Sequence, residues 1–445
     1  MSKHYFLSGI GGSGMMPLAL ILKGLGHRVS GSDRGRDQGR SLEKFTDLEK
    51  QGVILFPQDG SGIGEQLDAL VVSTAVEDTV PDVQVAKKTG IHIIKRAELL
   101  ADIFNSFPKR IAVGGTSGKT TTTGMIAFIL KEAGLDPVVM CGGIMKNYGA
   151  TALTGKGDVF VTESDESDGT IALFKPDVAV LTNVSVDHKG MDELRVLFGD
   201  FVNKARVPVI NADNAESLAL KNAQTKTYST KTDADYTATD IFHMPEGVAA
   251  IINGHAIGMD LQGDHNLSNA LAAIAAAHAY GVDIGEACEI LGRFEGIKRR
   301  MEWVGEANGI TVIDDFAHNP DKIAATLSTL KAHEGRLIIV FQMHGYGPLK
   351  LMWKELAETF KAHTDANDRI FMPDPLYLGR TADKPIGTRQ VVDAIGERAH
   401  WCETREAAGL AALLEAHPGD RIVVMGARDD TLSTFAQGLL QAIRK

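Results

Sequence analysis

Ile111-Ala112-Val113-Gly114-Gly115-Thr116-Ser117-Gly118-Lys119-Thr120-Thr121-Thr122-Thr123 decides how this chain is read. A short apolar run enters a pair of glycines, then Gly-Lys-Thr, then a helical pattern over residues 119–132. This is the layout of a phosphate-binding loop. Glycines let backbone N–H groups close around phosphate oxygens, the helix N-terminus adds partial positive charge, and the lysine meets the outer phosphates. Thr120 stands where a hydroxyl usually holds Mg²⁺. The spacing is compact, because the glycine expected five residues before Gly118 is Val113. The alternative is a Gly-rich strand–helix turn with an exposed lysine; the reading adopted is an ATP site formed by Gly115, Thr116, Ser117, Gly118, Lys119, Thr120 and Thr121.

The chain is 445 residues long, enough for two to four domains. Its 44% hydrophobic and 23% charged residues are those of an ordinary globular protein. A formal net charge of −11 without a basic tract argues against nucleic-acid binding. Cys141, Cys288 and Cys402 lie far apart and form neither a metal-ligand spacing nor an even disulfide set, which favours a reducing, cytoplasmic setting. No signal peptide is expected, and the apolar stretch over residues 271–280 is too short to span a bilayer.

Residues 1–107 read as an α/β unit. A strand-like His4-Tyr5-Phe6-Leu7-Ser8 leads into Gly9-x-Gly11-x-x-Gly14, a helix to about residue 25, and Arg28-Val29-Ser30-Gly31-Ser32-Asp33. This dinucleotide fingerprint places a diphosphate at a helix N-terminus and a ribose hydroxyl at Asp33. NAD, NADP and a UDP-sugar all carry that diphosphate, so the motif leaves the base open. Further strands are expected at residues 53–56, 69–74 and 92–95, with Ser73 and Thr74 where such folds place ligand loops.

Residues 108–296 repeat the α/β pattern. Strands at 158–162 and 177–182 open onto Glu163-Ser164-Asp165-Glu166-Ser167-Asp168 and Asn183-Val184-Ser185-Val186-Asp187-His188. Acidic clusters are usually solvated, but these follow strands of the domain that carries the phosphate loop, where carboxylates and an imidazole can hold Mg²⁺ against phosphates. Gly263-Asp264-His265-Asn266-Leu267-Ser268-Asn269-Ala270 opens an Ala-rich helix, which His265 or Asn266 could merely cap. Residues 297–445 form a third unit with strands at 310–313, 336–342, 369–372 and 421–425 and a last helix from about residue 431. The expected fold is α/β in three domains: N-terminal Rossmann-like, central P-loop ATPase-like and C-terminal Rossmann-like, with links near residues 107–108 and 295–296.

Two nucleotide-type loops in separate domains, followed by a third sheet domain, resemble the Mur ligase family, the ATP-dependent amide-bond ligases of peptidoglycan synthesis. The matching elements, in family order, are residues 9–15, 115–122, 163–168, Asp187-His188, His265-Asn266-x-x-Asn269-Ala270, Arg299-Arg300 and Asp314-Asp315-Phe316-Ala317-His318-Asn319-Pro320. The first loop and residues 163–168 are most similar to members that join UDP-N-acetylmuramate to L-alanine. Residues 298–300 and 314–318 are more similar to members that reattach a recycled murein tripeptide.

The resemblance implies roles. Lys119 would grip the β- and γ-phosphates; Thr120 and Glu163 would hold one Mg²⁺ and His188 a second. Asn266 and Asn269 would lie near the adenine, Arg300 would reach a phosphate, and Asp315 would meet the ATP ribose. Gly11, Gly12, Ser13, Gly14, Asp33, Ser73 and Thr74 would hold the UDP part of the first substrate. The implied reaction makes an acyl phosphate that an amine then attacks. Lys119, Arg300 and His318 would be catalytic, His318 orienting or deprotonating the amine unless it is merely structural. The implied partners are a UDP-N-acetylmuramate-type substrate and an amino acid or short peptide, with no nucleic acid or membrane, on a monomer or homodimer.

The chain also departs from the family pattern. The His-Arg-Tyr-x-Arg motif that faces the incoming amino acid is represented by His344-Gly345-Tyr346-Gly347-Pro348, so both arginines are gone. His344 and Tyr346 remain as acceptor candidates, with Lys350, Arg380 or Arg428 as substitute cations. Ser117 replaces the family's histidine, and Lys204 is a poor counterpart for its carbamylated lysine. A non-catalytic sensor of UDP-muramyl precursors and an NAD-dependent dehydrogenase are the alternatives from other classes.

Overall fold

In the computed structural model, all residues are described except 1, 75, 167–168, 186–188, 245, 376–386, 428 and 430. Among the described residues the strands fall into three sheets. The first contains β1 (His4–Ser8), β2 (Arg28–Ser32), β3 (Ile54–Phe56), β4 (Ala69–Val72) and β5 (Ile93–Lys95), all parallel, in the order β3-β2-β1-β4-β5. The strand order reverses between β1 and β4, where doubly wound sheets bind ligands outside their carboxyl ends. The glycine loop after β1 and Ser73-Thr74 after β4 are therefore the two lips of that crevice.

The second sheet is built on β6 (Lys109–Gly114), the strand that feeds the phosphate loop. It joins β7 (Val138–Met145), β8 (Ala150–Thr154), β9 (Val159–Glu163), β10 (Val178–Leu181), β11 (Val207–Asn211), β12 (Lys226–Ser229), β13 (Tyr236–His243), β14 (Val248–Ile252) and β15 (His255–Met259). The order is β15-β14-β13-β12-β11-β10-β6-β9-β7-β8, parallel at its centre and antiparallel at both edges. The central strands are apolar on both faces, because helices cover both sides of a parallel sheet. β6 lies between β9 and β10, with Val113 beside Glu163 and Gly114 beside Leu181.

The third sheet holds β16 (Glu302–Ala307), β17 (Ile310–Asp315), β18 (Leu337–Gln342), β19 (Arg369–Pro373), β20 (Ala399–Cys402) and β21 (Arg421–Gly426), in the order β16-β17-β21-β18-β19-β20. Alternation along its strands sorts two cores. Ile313, Ile339, Phe341, Ile370, Val423 and Met425 face one layer of helices, and Val312, Ile338, Val340, Phe371, Ile422 and Val424 face the other. The antiparallel edge strand β16 was not anticipated from sequence. Its partly exposed Glu302-Trp303-Val304-Gly305-Glu306-Ala307 lacks the continuous apolar run by which the inner strands are recognised.

The chain divides into two compact units, Met1–Asp260 with Asp264–Glu295, and Leu261–Gly263 with Gly296–Lys445. In the first unit one apolar cluster runs through both of the first two sheets, and a second, built on Phe6, Ile63, Leu70, Val83 and Ala86, lies on the other face of the first sheet. Phe104 from the helix Arg96–Ser106 meets Phe160 of β9 at 5.6 Å and Phe174 at 5.2 Å between ring centroids, and Phe107 meets Phe160 at 5.1 Å. The segment near residue 107 is thus pinned by aromatic packing. Among the described residues no helix is long and apolar enough to cross a membrane.

Phe104 is fully buried at this junction. Phe104→Ala should destabilise the first unit by about 3–5 kcal/mol, read from urea unfolding. Because the cluster around Phe104 spans both sheets, probes in the two sheets should report one coincident transition; two separated transitions would show that the sheets unfold independently.

Candidate functional site

The phosphate loop is held open by its own scaffold. Gly118 has φ +85°, where a side chain strains the backbone, and a Cβ there would lie 2.6 Å from Asn269 Oδ1. Gly115 is equally constrained by Thr182 Oγ1. The residues after β10 supply the loop's outer frame. Thr116 donates its hydroxyl to Asn183 Oδ1 at 2.5 Å, the Ser117 amide donates to the same oxygen at 3.0 Å, and Thr182 Oγ1 donates to the Ser117 carbonyl at 2.6 Å. Asn269 accepts from Thr122 Oγ1 at 3.1 Å, which ties the helix Asp264–His278 to the phosphate-loop helix Lys119–Glu132. Asn266 and Asn269 are both buried one turn apart on that helix.

Lys119 bends back into this frame. Its ammonium donates to the Gly115 carbonyl at 2.6 Å and pairs with Glu166 at 2.7 Å, the Glu166 side chain being only 4% exposed. Glu163 ends β9 beside the loop. One of its carboxylate oxygens accepts from Thr120 Oγ1 at 3.0 Å and the other from the Gly142 amide of β7. Sequence reading put Glu163 on the loop after the strand. The parallel pairing extends one residue further and fixes its direction.

At the first sheet, Gly12, Ser13, Gly14, Ser73 and Thr74 line a cavity of about 450 Å³. The same cavity is lined by Lys119, Thr162, Glu163, Asp165, Cys141 and Gly142 of the second sheet. The two nucleotide-type loops therefore open on one space. Arg96 also lines it, with its guanidinium 3.3 Å from where a Cβ on Gly14 would stand. Sequence reading missed Arg96, since a single arginine after a short strand carries no motif. Gly11 and Asp33 sit differently. Asp33 accepts from the Gly11 amide at 2.9 Å and caps the helix Arg34–Asp37 through the Gly35 amide at 2.7 Å, so its carboxylate braces the loop. Neither residue is among those lining the cavity.

In the second compact unit, the carboxyl ends of β17, β21 and β18 gather the remaining candidates. Arg299 (φ +60°) and Met301 (φ +49°) flank Arg300 in the left-handed region, a strained arrangement for side-chain-bearing residues. The strain is held by buried bonds. Arg299 donates to Asp314 at 3.2 Å, to the Asp429 carbonyl at 2.9 Å and to the Gly426 carbonyl at 2.6 Å. Burial pushes the Asp314 carboxyl upward, opposed by the Arg299 charge. Asp315 is 6% exposed and accepts from Met301 N at 2.6 Å, Ala317 N at 2.7 Å and Thr326 Oγ1 at 3.1 Å. Its Oδ2 holds the turn on which Arg300 stands and its Oδ1 holds the segment after β17, and the Arg300 guanidinium lies over the Phe316 ring at 4.7 Å.

His318 bonds the Phe316 carbonyl through Nδ1 at 2.8 Å and meets His344 edge-on at 5.0 Å. Burial, reinforced by Lys322, lowers its pKa from 6.5 to about 3. Tyr346 opens the helix Tyr346–His363 after β18, and burial raises its phenol pKa. Where the family motif has its first arginine, Gly345 takes φ +151°. Gln342 donates to Asp429 Oδ2 at 3.0 Å, an oxygen that also accepts from Arg405 at 2.9 Å. Lys350 is exposed, and Lys204 pairs with Asp200 at 2.5 Å. The expected metal ligand His188 lies outside the described residues, as do Asp187, Arg380 and Arg428. Among the described residues no cluster of three or more His, Cys, Asp or Glu forms a metal cage.

A phosphate loop and a dinucleotide-type loop sharing one cavity define a nucleotide-binding α/β protein. Three family models match in order: the Mur ligase family catalytic domain over residues 4–108, the Mur ligase middle domain over 113–277 and the Mur ligase glutamate ligase domain over 299–428. UDP-N-acetylmuramate–L-alanine ligase of Desulforapulum autotrophicum is 36% identical over 451 aligned positions, covering 96% of each chain. The enzyme of the same name from Phenylobacterium zucineum is 36% identical, covering 98% of this chain and 95% of its own. Among solved structures, UDP-N-acetylmuramate-alanine ligase of Thermotoga maritima superposes with a TM-score of 0.80 at 26% identity over 99% of both chains. A murein peptide ligase from Psychrobacter arcticus gives 0.72 at 26% identity over 100% of this chain and 99% of its own. The chain belongs to the Mur ligase family, whose members are ATP-dependent ligases that form amide bonds.

The depressed pKa of His318 has a pH consequence. As pH falls below 6.5 the unfolded chain takes up this proton first, so stability present at pH 7 is lost progressively toward a pH of about 3. The loss should be on the order of 2 kcal/mol at pH 5, and His318→Gln should remove that component from the pH dependence of urea unfolding. An unchanged pH profile in His318→Gln would contradict a neutral, buried imidazole.

Proposed function

We propose that this protein is an ATP-dependent ligase that joins the carboxylate of UDP-N-acetylmuramate to the amine of an amino acid, L-alanine or a close analogue, in peptidoglycan precursor synthesis. The observation that carries the reading is the single cavity lined by both Gly12-Ser13-Gly14 and Lys119-Glu163. A UDP-sugar seated with its diphosphate at the first loop can extend its lactyl carboxylate toward the second. Full-length relatives named for this activity, at 36% identity, support the same assignment.

The residues fit ATP. The glycine loop leaves no room for side chains where backbone amides turn inward, and Lys119 is the cation aimed along that cradle. Thr120 and Glu163 offer neighbouring hard oxygens suited to Mg²⁺, which keeps several waters and is bound by one or two carboxylates plus phosphates rather than by an all-protein cage. Bound with ATP, the ion would neutralise charge on the transferring phosphoryl group. Lys119 must exchange Glu166 for phosphate oxygens when the nucleotide arrives. Arg96 stands where the UDP diphosphate would lie. In the second compact unit Arg300 offers a further cation for phosphate. A neutral His318 suits either of two tasks, orienting the amine or accepting its proton, because at neutral pH its ring nitrogen is unprotonated.

The acceptor end supports a second reading. With Gly345 and Pro348 in place of the two arginines, a carboxylate-bearing acceptor lacks its usual guanidinium fork. A recycling ligase that takes a tripeptide spreads acceptor recognition over more contacts. The comparison is a matter of rate: ADP formation in the presence of UDP-N-acetylmuramate and Mg²⁺, with L-alanine, other amino acids and the tripeptide supplied in turn. Dependence on L-alanine supports the first reading, a marked preference for the tripeptide supports the second, and no amine dependence overturns both.

Lys119→Ala should reduce ADP formation by at least about a thousandfold, while binding of UDP-N-acetylmuramate by calorimetry stays within about threefold. Loss of both together would show that the two loops do not serve separate ligands.

A further inference from the structure

Asp82 is a fully buried carboxylate that touches neither loop of the proposed site, yet it joins the last residues of β1 and β2. It is 0% exposed, at the second position of the helix Pro81–Thr89, where the helix dipole favours a negative charge. One oxygen accepts from the hydroxyls of Ser8 at 2.9 Å and Ser32 at 2.5 Å, and the other accepts from the Gly60 amide at 3.0 Å. Ser8 is the last residue of β1 and Ser32 the last of β2. The Ser32 carbonyl in turn accepts from the amides of Gly9 at 2.8 Å and Ile10 at 2.9 Å, and the Gly9 carbonyl accepts from Gly12 at 3.0 Å.

A continuous path of hydrogen bonds therefore runs from Asp82 through Ser32 and Gly9 to Gly12. Gly9 and Gly12 line the cavity. The opposite lip, Ser73-Thr74, belongs to the segment that runs directly into Pro81 and Asp82, and Val76 of that segment lies 3.7 Å from where a Cβ on Gly9 would stand. The carboxylate thus holds the glycine-loop lip through hydrogen bonds and stands in the first turn of the helix that follows the other lip.

We propose that Asp82 is a positioning residue for the first substrate: it fixes the spacing between the glycine loop and the Ser73-Thr74 lip so that both meet one UDP diphosphate. The inference rests on the functional reading above, since it takes UDP-N-acetylmuramate as the ligand. Removing the carboxylate leaves three donors unpaired in a dry environment, and the lips lose their common anchor. The phosphate loop hangs on different residues, Thr182, Asn183 and Asn269, and keeps its shape.

The test compares wild type, Asp82→Ala and Ser32→Ala, measuring Kd for UDP-N-acetylmuramate and for ATP by calorimetry and the KM for each in the ligase assay. The expected result is a loss of UDP-N-acetylmuramate affinity of at least about tenfold in Asp82→Ala and a smaller loss in Ser32→Ala, with ATP affinity and kcat within about threefold. If Asp82→Ala does not fold, the Ser8→Ala, Ser32→Ala double variant carries the same expectation. Folded variants that bind UDP-N-acetylmuramate like the wild type, with only a lowered Tm, overturn the positioning role and leave the functional reading intact. Equal losses for both ligands also overturn it, because they indicate general loosening. Failure of the wild type to bind UDP-N-acetylmuramate overturns the functional reading and this inference with it.

Discussion

The parallel pairing of β6 with β9 and β10 is the constraint from which the rest of the candidate site follows. Register in a parallel sheet leaves no freedom: once Val113 stands beside Glu163, the carboxylate must emerge next to the phosphate loop. Once Gly114 stands beside Leu181, Thr182 and Asn183 must lie along the loop's outer side. A slip by one residue would turn every side chain to the other face. The apolar runs of all three strands, buried on both faces, are what forbid that slip. Loop chemistry is thus secured by strand hydrophobicity two or three residues away.

Much of this was legible in the sequence. Glycine spacing after an apolar run names a phosphate loop because few other arrangements need that backbone, and the β1 loop is read the same way. Most parallel strands are legible as continuous apolar segments, although β11, β12 and β20, interrupted by proline, polar or charged residues, were not read. The antiparallel margins were not: β7, β8, β13–β16 carry mixed, half-exposed patterns that resemble loops. The partners of functional groups were equally hidden. Nothing in the sequence says that Glu166 pairs with Lys119, that Arg96 lies against Gly14, or that Asp82 binds two serines 74 and 50 residues away. Such contacts arise from chain crossings, and a single sequence contains no record of distance.

The third sheet shows how much of a motif's structural role a sequence leaves unstated. Asp314-Asp315 was expected after the strand, with Asp315 offered to a nucleotide. Instead β17 runs through both residues. Their carboxylates are consumed in holding Arg299, Met301, Ala317 and Thr326, and what they present is Arg300 on a strained turn. A buried carboxylate with three donors is a brace, and replacing it would release the turn before it altered any ligand contact. The lost arginines have a comparable logic. Gly345 occupies a backbone region that glycine tolerates and arginine strains against, so this segment differs in backbone as well as in side chain.

Charge balance explains where Lys119 rests in the phosphate loop. Glu163 and Asp165 line the same cavity as Lys119, and Glu166 is buried against the ammonium. A nearly dry ion pair contributes little net stability, because desolvation cancels most of the attraction, but leaving either partner alone is costly. Lys119 can therefore leave Glu166 only when something else neutralises that carboxylate or supplies an equal anion. A triphosphate alone adds negative charge to an already acidic wall. A triphosphate carrying a divalent cation would satisfy Lys119 through its oxygens while the cation offset the charge of the acidic wall. On the proposed reading, the resting ion pair would disfavour metal-free nucleotide relative to its complex with a divalent cation, because one buried carboxylate already holds the lysine and two more line the same cavity.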